Sequence, residues 1–193
     1  MRIGAEALKN AQMKVRSIIY GIGVSLLIVG TAQAAEYSNP ELKFALTLPA
    51  GWKLSPDQFK DDLSAKHTDL LFDGPVEKTK KGDRDFYASV KVLPASVSLQ
   101  HLSDKESGYI INEDASRTKI AKSALIQHRG FPARTLEGPA TPDGDPGYYY
   151  ALAIKPAANA GIILLVVTVD LETLKGAGTR PQIDQLLASF RPL

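Results

Sequence analysis

Residues 161–169 form the most hydrophobic run of the chain after its N-terminal region, and this run constrains the fold most strongly. Because side chains alternate between the two faces of a strand, a strand here would be apolar on both faces. A sheet with one solvated face would instead alternate apolar and polar residues. The run is also too short to cross a membrane as a helix. It therefore predicts the central strand of a sheet that is covered on both sides.

An amphipathic helix is predicted near the end of the chain, where apolar residues recur at intervals of three and four. These residues are Ile183, Leu186, Leu187 and Phe190. Thr179 is the predicted N-cap of this helix, and Gln182 would complete a capping box. A second helix is predicted to begin after Ser98, whose side chain is suited to an N-cap. We expect the two helices to cover opposite faces of the sheet.

Further segments have the alternation or the composition of strands. They cover residues 43–48, 70–72, 86–92, 119–127, 131–137 and 148–154. Gly130 is the predicted bend of a hairpin between two of these strands. Residues 138–147 are rich in glycine and proline and are predicted to form a loop, whereas residues 55–58 have the pattern of a short helix start.

The first 34 residues contain the three parts of a secretory signal peptide. A basic lead at 13–16 precedes an apolar core at 18–30, and the A-x-A cleavage site ends at Ala34. An uncleaved anchor is the alternative, but this core is shorter than the roughly 20 residues that a spanning helix needs. The sequence therefore predicts that residues 1–34 are removed, whether translation starts at Met1 or at Met13, and that residues 35–193 form a single periplasmic domain with no membrane span.

Charge and cysteine content exclude several classes of protein. The chain carries 23 basic and 21 acidic side chains, of which four basic and one acidic lie in residues 1–34, so 19 and 20 remain. This balance gives no reason to expect nucleic acid or an anionic membrane surface as a partner. The chain has no cysteine, which excludes disulfides, thiol catalysis and lipid attachment at the cleavage site.

Two short motifs carry a resemblance to a known superfamily. The pattern Phe44-x-Leu46-x-Leu48-Pro49-x-Gly51-Trp52 and the ending Ile183-x-x-Leu186-Leu187-x-Ser189-Phe190 after a hydrophobic strand resemble PsbP-like proteins. The resemblance covers about residues 37–192. It implies an α+β fold in which a central antiparallel sheet lies between helices, an α/β/α sandwich. Members include the photosystem II extrinsic subunit, a Ran-binding eukaryotic relative and DcrB-type bacterial periplasmic proteins, and most are binding or assembly proteins. The matched residues are structural, so the resemblance transfers no functional residue.

The sequence contains no recognisable catalytic or cofactor motif. It has neither a G-x-S-x-G elbow nor an H-E-x-x-H pair, and His67, His101 and His128 stand in unrelated contexts, where we expect surface side chains. We therefore predict no catalytic residue and no cofactor. Asp143 and Asp145 are the best candidates for a cation site, although calcium needs more oxygen ligands than this pair supplies and a simple turn is the alternative.

Four aromatic residues are the candidates for a partner-binding surface: Trp52, Tyr148, Tyr149 and Tyr150. Tyrosine and tryptophan are enriched at the energetic centres of protein interfaces. The alternative is that they pack in the core, with Trp52 closing one end of the sheet. Strand alternation would place Tyr149 on the face opposite its two neighbours.

The leading functional hypothesis is an exported, non-enzymatic binding or assembly-accessory protein of the cell envelope. We expect a monomer whose partner is an envelope protein that the sequence does not identify. One alternative is a metal-dependent or hydrolytic enzyme that brings Asp143 or Asp145 next to a histidine. The other alternative is a purely structural component of the envelope.

Overall fold

The computed structural model describes residues 34–55, 70–75, 86–102, 119–141 and 145–193. The chain divides into two compact units, residues 1–31 and 32–193, and all of the described residues belong to the second unit. The predicted helix start after Ser55 and the continuation of the helix predicted after Ser98 lie outside these ranges.

The described segments form ten strands and two α-helices. The strands are β1 (Ala35–Asn39), β2 (Phe44–Leu48), β3 (Lys53–Leu54), β4 (Leu70–Asp73), β5 (Phe86–Leu93), β6 (Lys122–His128), β7 (Phe131–Ala140), β8 (Gly147–Ile154), β9 (Ile162–Asp170) and β10 (Arg191–Pro192). The helices are α1 (Leu171–Leu174) and α2 (Thr179–Ser189), and Leu99–His101 form a 3₁₀ turn.

Seven of the strands form one antiparallel sheet in the order β3-β4-β5-β9-β8-β7-β6. Strand β9 lies between β5 and β8, and all nine of its residues are buried. The prediction of a central strand covered on both faces is thereby confirmed. The remaining strands form a small antiparallel sheet in the order β1-β2-β10.

One face of the large sheet is covered by α2 and by the small sheet. Ile183 and Leu186 of α2 and Phe190, which caps its C-terminal end, are fully buried, and they belong to one core cluster with Phe44 of β2 and Leu165 of β9. The spacing that predicted this amphipathic helix therefore identified the side that it buries.

The other face of the large sheet carries a second core cluster. Leu99 and Leu102 lie in it together with Leu136, Tyr149 and Leu164. Ser98 caps the 3₁₀ turn by accepting a hydrogen bond from the Gln100 main-chain N–H at 3.2 Å. The segment after Ser98 therefore covers the predicted face, and the part that the structure describes is a 3₁₀ turn.

Basic side chains fasten this segment to the sheet. The Arg134 guanidinium on β7 donates to the carbonyl oxygens of Leu99 and Gln100 at 2.8 and 2.9 Å. The Lys155 ammonium, just after β8, donates to the carbonyls of Ala95 and Val97 at 3.2 and 3.1 Å.

The boundaries of β6 and β7 near Gly138 differ from the prediction. Residues 138–140 belong to β7 instead of a loop, and β6 begins at Lys122 instead of 119. A Cβ on Gly138 would lie 1.8 Å from the Lys119 carbonyl oxygen, so the absence of a side chain lets the chain before β6 cross β7 there. Ala121 donates its main-chain N–H to the Glu137 carbonyl at 2.8 Å beside this crossing.

The predicted capping box of α2 is wrong. Gly178 occupies the N-cap position, and Thr179 is the first helical residue. The Thr179 hydroxyl donates to the Thr173 carbonyl at 2.7 Å, while the Gln182 side-chain oxygen accepts the Trp52 indole N–H at 2.6 Å. Tertiary partners thus take both side chains that the local pattern had assigned to the cap.

Candidate functional site

Strand β6 is the terminal strand of the large sheet, and its side chains are exposed on both faces except at His128, which is half-buried. Leu125 is 58% exposed and Ile126 is 37% exposed, and being consecutive they point to opposite faces. Neither core cluster contains a β6 residue. The layers that cover the centre of the sheet therefore leave this strand uncovered within the described part of the chain.

The turn between β6 and β7 determines which main-chain groups of β6 are free. Arg129 and Gly130 both have positive φ angles, 51° and 85°, as in the two-residue turns that close β-hairpins. His128 and Phe131 flank this turn as a register pair, so the main chain of His128 faces β7. By alternation the N–H and C=O groups of Ser123, Leu125 and Gln127 face away from β7. We call these outward groups the β6 edge; no described strand pairs with it.

A cleft of about 420 Å³ lies beside this strand. It is lined by Leu99 and Gln100 of the 3₁₀ turn, by residues 125–127 of β6 and by Pro132 and Ala133 of β7. Arg134 is held beside the cleft, because its guanidinium donates to the Ser123 hydroxyl at 2.6 Å as well as to the carbonyls of the turn. The cleft is thus an apolar groove with a fixed cation next to the β6 edge.

The turn of the β6–β7 hairpin is attached to the C-terminal end of α2. Arg129 donates through Nε and Nη2 to the Ala188 carbonyl at 3.1 and 2.8 Å. Nε2 of His128 lies 2.7 Å from the Phe190 carbonyl oxygen and must carry a hydrogen there, because a carbonyl only accepts. These bonds satisfy carbonyl groups at the end of α2, where a cation is also favoured by the helix dipole.

The predicted tyrosines lie two strands away from β6, on β8. Tyr149 is fully buried on the face of the second core cluster, and Tyr150 is buried on the opposite face. Tyr148 is half-buried and stacks on Tyr150 with ring centroids 5.2 Å apart. The expected alternation of the three tyrosines is confirmed.

Charged side chains surround Tyr148 and Tyr150. The Arg180 guanidinium carbon lies 4.6 Å from the centroid of the Tyr150 ring, and Lys122 forms an ion pair with Glu137 at 2.6 Å. A hydrogen bond and the charge of Glu137 raise the pKa of Lys122. Burial raises the pKa of Tyr148, and the nearby Glu137 carboxylate raises it further. Of the four predicted aromatic residues, Tyr148 is the one that presents appreciable surface.

Trp52 is buried, as the core interpretation predicted. Its ring packs edge-on against Phe86 with centroids 4.7 Å apart, and its indole N–H is bonded to Gln182. A partner-binding role for the aromatic group remains a prediction, and within the described residues Tyr148 is the member available for it.

Strand β7 separates two of the residues named for an enzymatic site. His128 pairs with Phe131 at one end of β7, whereas Asp145 follows the Ala140 end. At about 3.3 Å per residue the ten residues of β7 put His128 and Asp145 roughly 30 Å apart, so they cannot share a metal ion or a proton. Asp143, His67 and the side chain of His101 lie outside the described residues. In the described ranges, no group of three or more histidine, aspartate and glutamate side chains is arranged to hold a metal, and no helix has the length and hydrophobicity of a membrane span.

Sequence patterns did not reveal the β6 edge or the cleft. Residues 122–128 have the composition of an ordinary strand, and their position at the end of the sheet depends on the strand order. The adjacent pair Leu125 and Ile126 was no signal of an edge either, because apolar residues on both faces are equally typical of a strand that is covered on both sides.

No family model and no curated protein matches the chain. Among solved structures, the chain is similar to the solution structure of CyanoP, the cyanobacterial PsbP of Synechocystis sp. PCC 6803, with a TM-score of 0.58 and 18% identity over 86% of this chain and 95% of that one. It is also similar to the Ran-binding protein Mog1p of Saccharomyces cerevisiae, with a TM-score of 0.49 and 12% identity over 84% and 96% of the two chains. A third similar structure is LpqN of Mycobacterium tuberculosis, described as involved in cell envelope biogenesis, with a TM-score of 0.48 and 14% identity over 81% and 83%. The fold is PsbP-like, an α+β sandwich, as the two sequence motifs predicted.

Proposed function

We propose that the protein is an exported, non-enzymatic binding or assembly-accessory protein of the cell envelope, and that it binds its partner at β6. The observation that carries this proposal is the exposure of Leu125 and Ile126 on opposite faces of a terminal strand. Natural sheets generally protect such edges with short strands, charges or bulges. Apolar surface that remains exposed beside free main-chain groups is typical of a protein-binding site.

The sequence at the N-terminus supports the envelope as the location. Its basic lead, apolar core and A-x-A site are the parts of a cleavable export signal. We expect the mature protein to begin at Ala35. Mass measurement of the protein recovered from a periplasmic fraction checks this, and an intact N-terminus in the cytoplasmic fraction would contradict it.

Binding also fits the polar groups better than catalysis does. Near β6 they already serve structural bonds: His128 and Arg129 hold carbonyls at the end of α2, and Arg134 holds the 3₁₀ turn. A general base or nucleophile has to keep a reactive atom available to a substrate. In this arrangement these side chains position the strand and the cleft.

Site-specific photo-crosslinking tests the proposal. A photoreactive benzoyl-phenylalanine replaces Leu125 in the full chain, expressed in the source bacterium. Leu171 is the matched control position, because it is also an exposed leucine, 44% accessible, and follows β9. We expect one reproducible adduct with an envelope protein from position 125 and none from position 171. The same adducts from both positions, or none from either, would contradict a binding site at β6.

A further inference from the structure

We infer that the β6 edge, together with the cleft beside it, binds an extended acidic peptide segment of the partner by strand addition. This inference rests on the proposed function and specifies its partner chemically. It differs from the aromatic surface that the sequence suggested, because the recognition elements are main-chain groups, an apolar groove and unpaired cations.

The first support is the set of outward main-chain groups on β6, with which no described strand pairs. Ser123, Leu125 and Gln127 direct their N–H and C=O groups outward, as the register of the two-residue hairpin requires. An incoming strand bonds to every second residue of its neighbour, so this spacing matches one extended segment of about five residues. The chain contributes no proline between residues 122 and 128 that would remove a donor.

The second support is the position of the cleft. Side chains of an added strand alternate between the two faces, and those on the Leu125 side would lie over the groove lined by Leu99 and Pro132. An apolar residue at every second position of the segment would fill this groove. On the opposite side Ile126 offers apolar contact at the centre of the strand.

The third support is charge. Arg129 and Arg134, in the β6–β7 hairpin, have no carboxylate partner among the described residues, whereas Lys122 is paired with Glu137. The described residues around β6 therefore carry a net positive charge, and an acidic segment complements them. A second copy of this chain would bring the same cations to the edge, so repulsion disfavours pairing of β6 with itself.

Fluorescence anisotropy with synthetic peptides tests the inference on the mature protein purified from the periplasm. The probe is a labelled ten-residue peptide that alternates valine with glutamate, and the comparison peptide alternates valine with lysine. Two further peptides carry N-methyl groups on alternate residues, one on the valines and the other on the glutamates. We expect the acidic peptide to bind at least about tenfold more tightly than the basic one. We expect one N-methylated set to lose binding by about tenfold and the other to keep it, because only one set of N–H groups faces the edge.

Leu125→Glu is the test variant and Leu171→Glu is its matched control. Both replace an exposed leucine by a carboxylate, so circular dichroism should show the same fold for each. We expect affinity for the acidic peptide to fall at least about tenfold in the first and to stay unchanged in the second. Failure of the acidic peptide to bind at about 1 mM, equal binding of the acidic and basic peptides, or equal effects of the two N-methylated sets would overturn the inference.

Sedimentation and the crosslinking experiment separate the remaining outcomes. A dimer that Leu125→Glu dissociates would identify a second copy as the occupant and overturn the acidic peptide. An adduct from position 125 combined with no peptide binding would leave the proposed function standing and remove only this inference. If neither the adduct from position 125 nor peptide binding is observed, both the proposed function at β6 and this inference are wrong.

Discussion

Gly138 is a position where one added carbon should be costly. In Gly138→Ala the new Cβ would lie 1.8 Å from the Lys119 carbonyl oxygen and 3.0 Å from the Tyr149 ring. Because ordinary contacts begin near 3.4 Å, the segment before β6 would have to move by about 1.5 Å or more, which also strains the hydrogen bond from Ala121 to Glu137. Overpacking costs about 1–3 kcal/mol and a lost hydrogen bond about 1 kcal/mol, so we expect the free energy of unfolding to fall by about 2–4 kcal/mol.

Urea unfolding followed by the fluorescence of Trp52 measures this change, because the chain has one tryptophan and it is buried. A chain of this length should also lose about 4–16 °C in Tm. Gly178→Ala is the matched control: its nearest atom is the end of the Gln182 side chain at 3.9 Å and its φ is negative, so only the poorer N-cap preference of alanine applies, and we expect a loss of about 1 kcal/mol or less. Equal stability of Gly138→Ala and the unmodified protein would refute the close approach of Lys119.

Three further predictions concern single side chains. Trp52→Phe removes the indole N–H that donates to the Gln182 side chain, and it should lower the free energy of unfolding by about 1–3 kcal/mol, measured by urea unfolding with circular dichroism. The double variant Trp52→Phe, Gln182→Leu should recover part of this loss. No recovery would argue against the hydrogen bond. Arg134→Gln removes the guanidinium that donates to the carbonyls of the 3₁₀ turn. Amide hydrogen exchange near Leu99 should therefore accelerate about tenfold, while exchange in β9 is unchanged. An unchanged exchange rate at Leu99 would show that Arg134 does not hold the turn on the sheet. The folded pKa of Tyr148 is raised above 10.0, so the unfolded state loses this proton first. The contribution of Tyr148 to the free energy of unfolding is therefore constant below pH 10 and falls as the pH rises above it. Tyr148→Phe should make the fall of stability shallower in alkaline melting curves, and an identical fall would contradict the pKa shift.

The sequence predicted well those elements in which the spacing of apolar residues shows directly which faces are buried. The run at β9 is apolar on both faces because layers lie on both, and the spacing of Ile183, Leu186 and Phe190 follows from one buried helix face. In each case a local pattern carries the tertiary information directly.

The elements that the sequence missed depend on partners distant along the chain. Gly138 and Pro139 are turn formers by composition, yet pairing with Tyr149 and Tyr148 of β8 keeps them in a strand. Strand β1 is mostly polar and is a strand because β2 offers it a partner. Propensity is a weak guide where pairing supplies the stabilisation.

The β6 edge could not be predicted for the same reason, since strand order decides which strand lies last. The residues that shape and support this edge are distant from one another in the sequence. Leu99 lines the cleft, Arg134 bonds β7 to the 3₁₀ turn, and the Ala188 carbonyl accepts a hydrogen bond from Arg129. Their common role appears only after the sheet has assembled.

The anchoring of β6 at both ends explains how an exposed strand can serve as a binding site. At one end Arg129 and His128 are bonded to the carbonyls of Ala188 and Phe190, and at the other Lys122 is paired with Glu137. Between these anchors no layer of the described residues covers the strand, so the hairpin register and the end contacts must keep its main chain extended. An edge that is already extended loses little conformational freedom when a segment adds to it, and preorganisation of this kind increases affinity without further contacts. The contacts that fix the hairpin to α2 therefore support binding, because they keep the outward main-chain groups of Ser123, Leu125 and Gln127 in an extended arrangement.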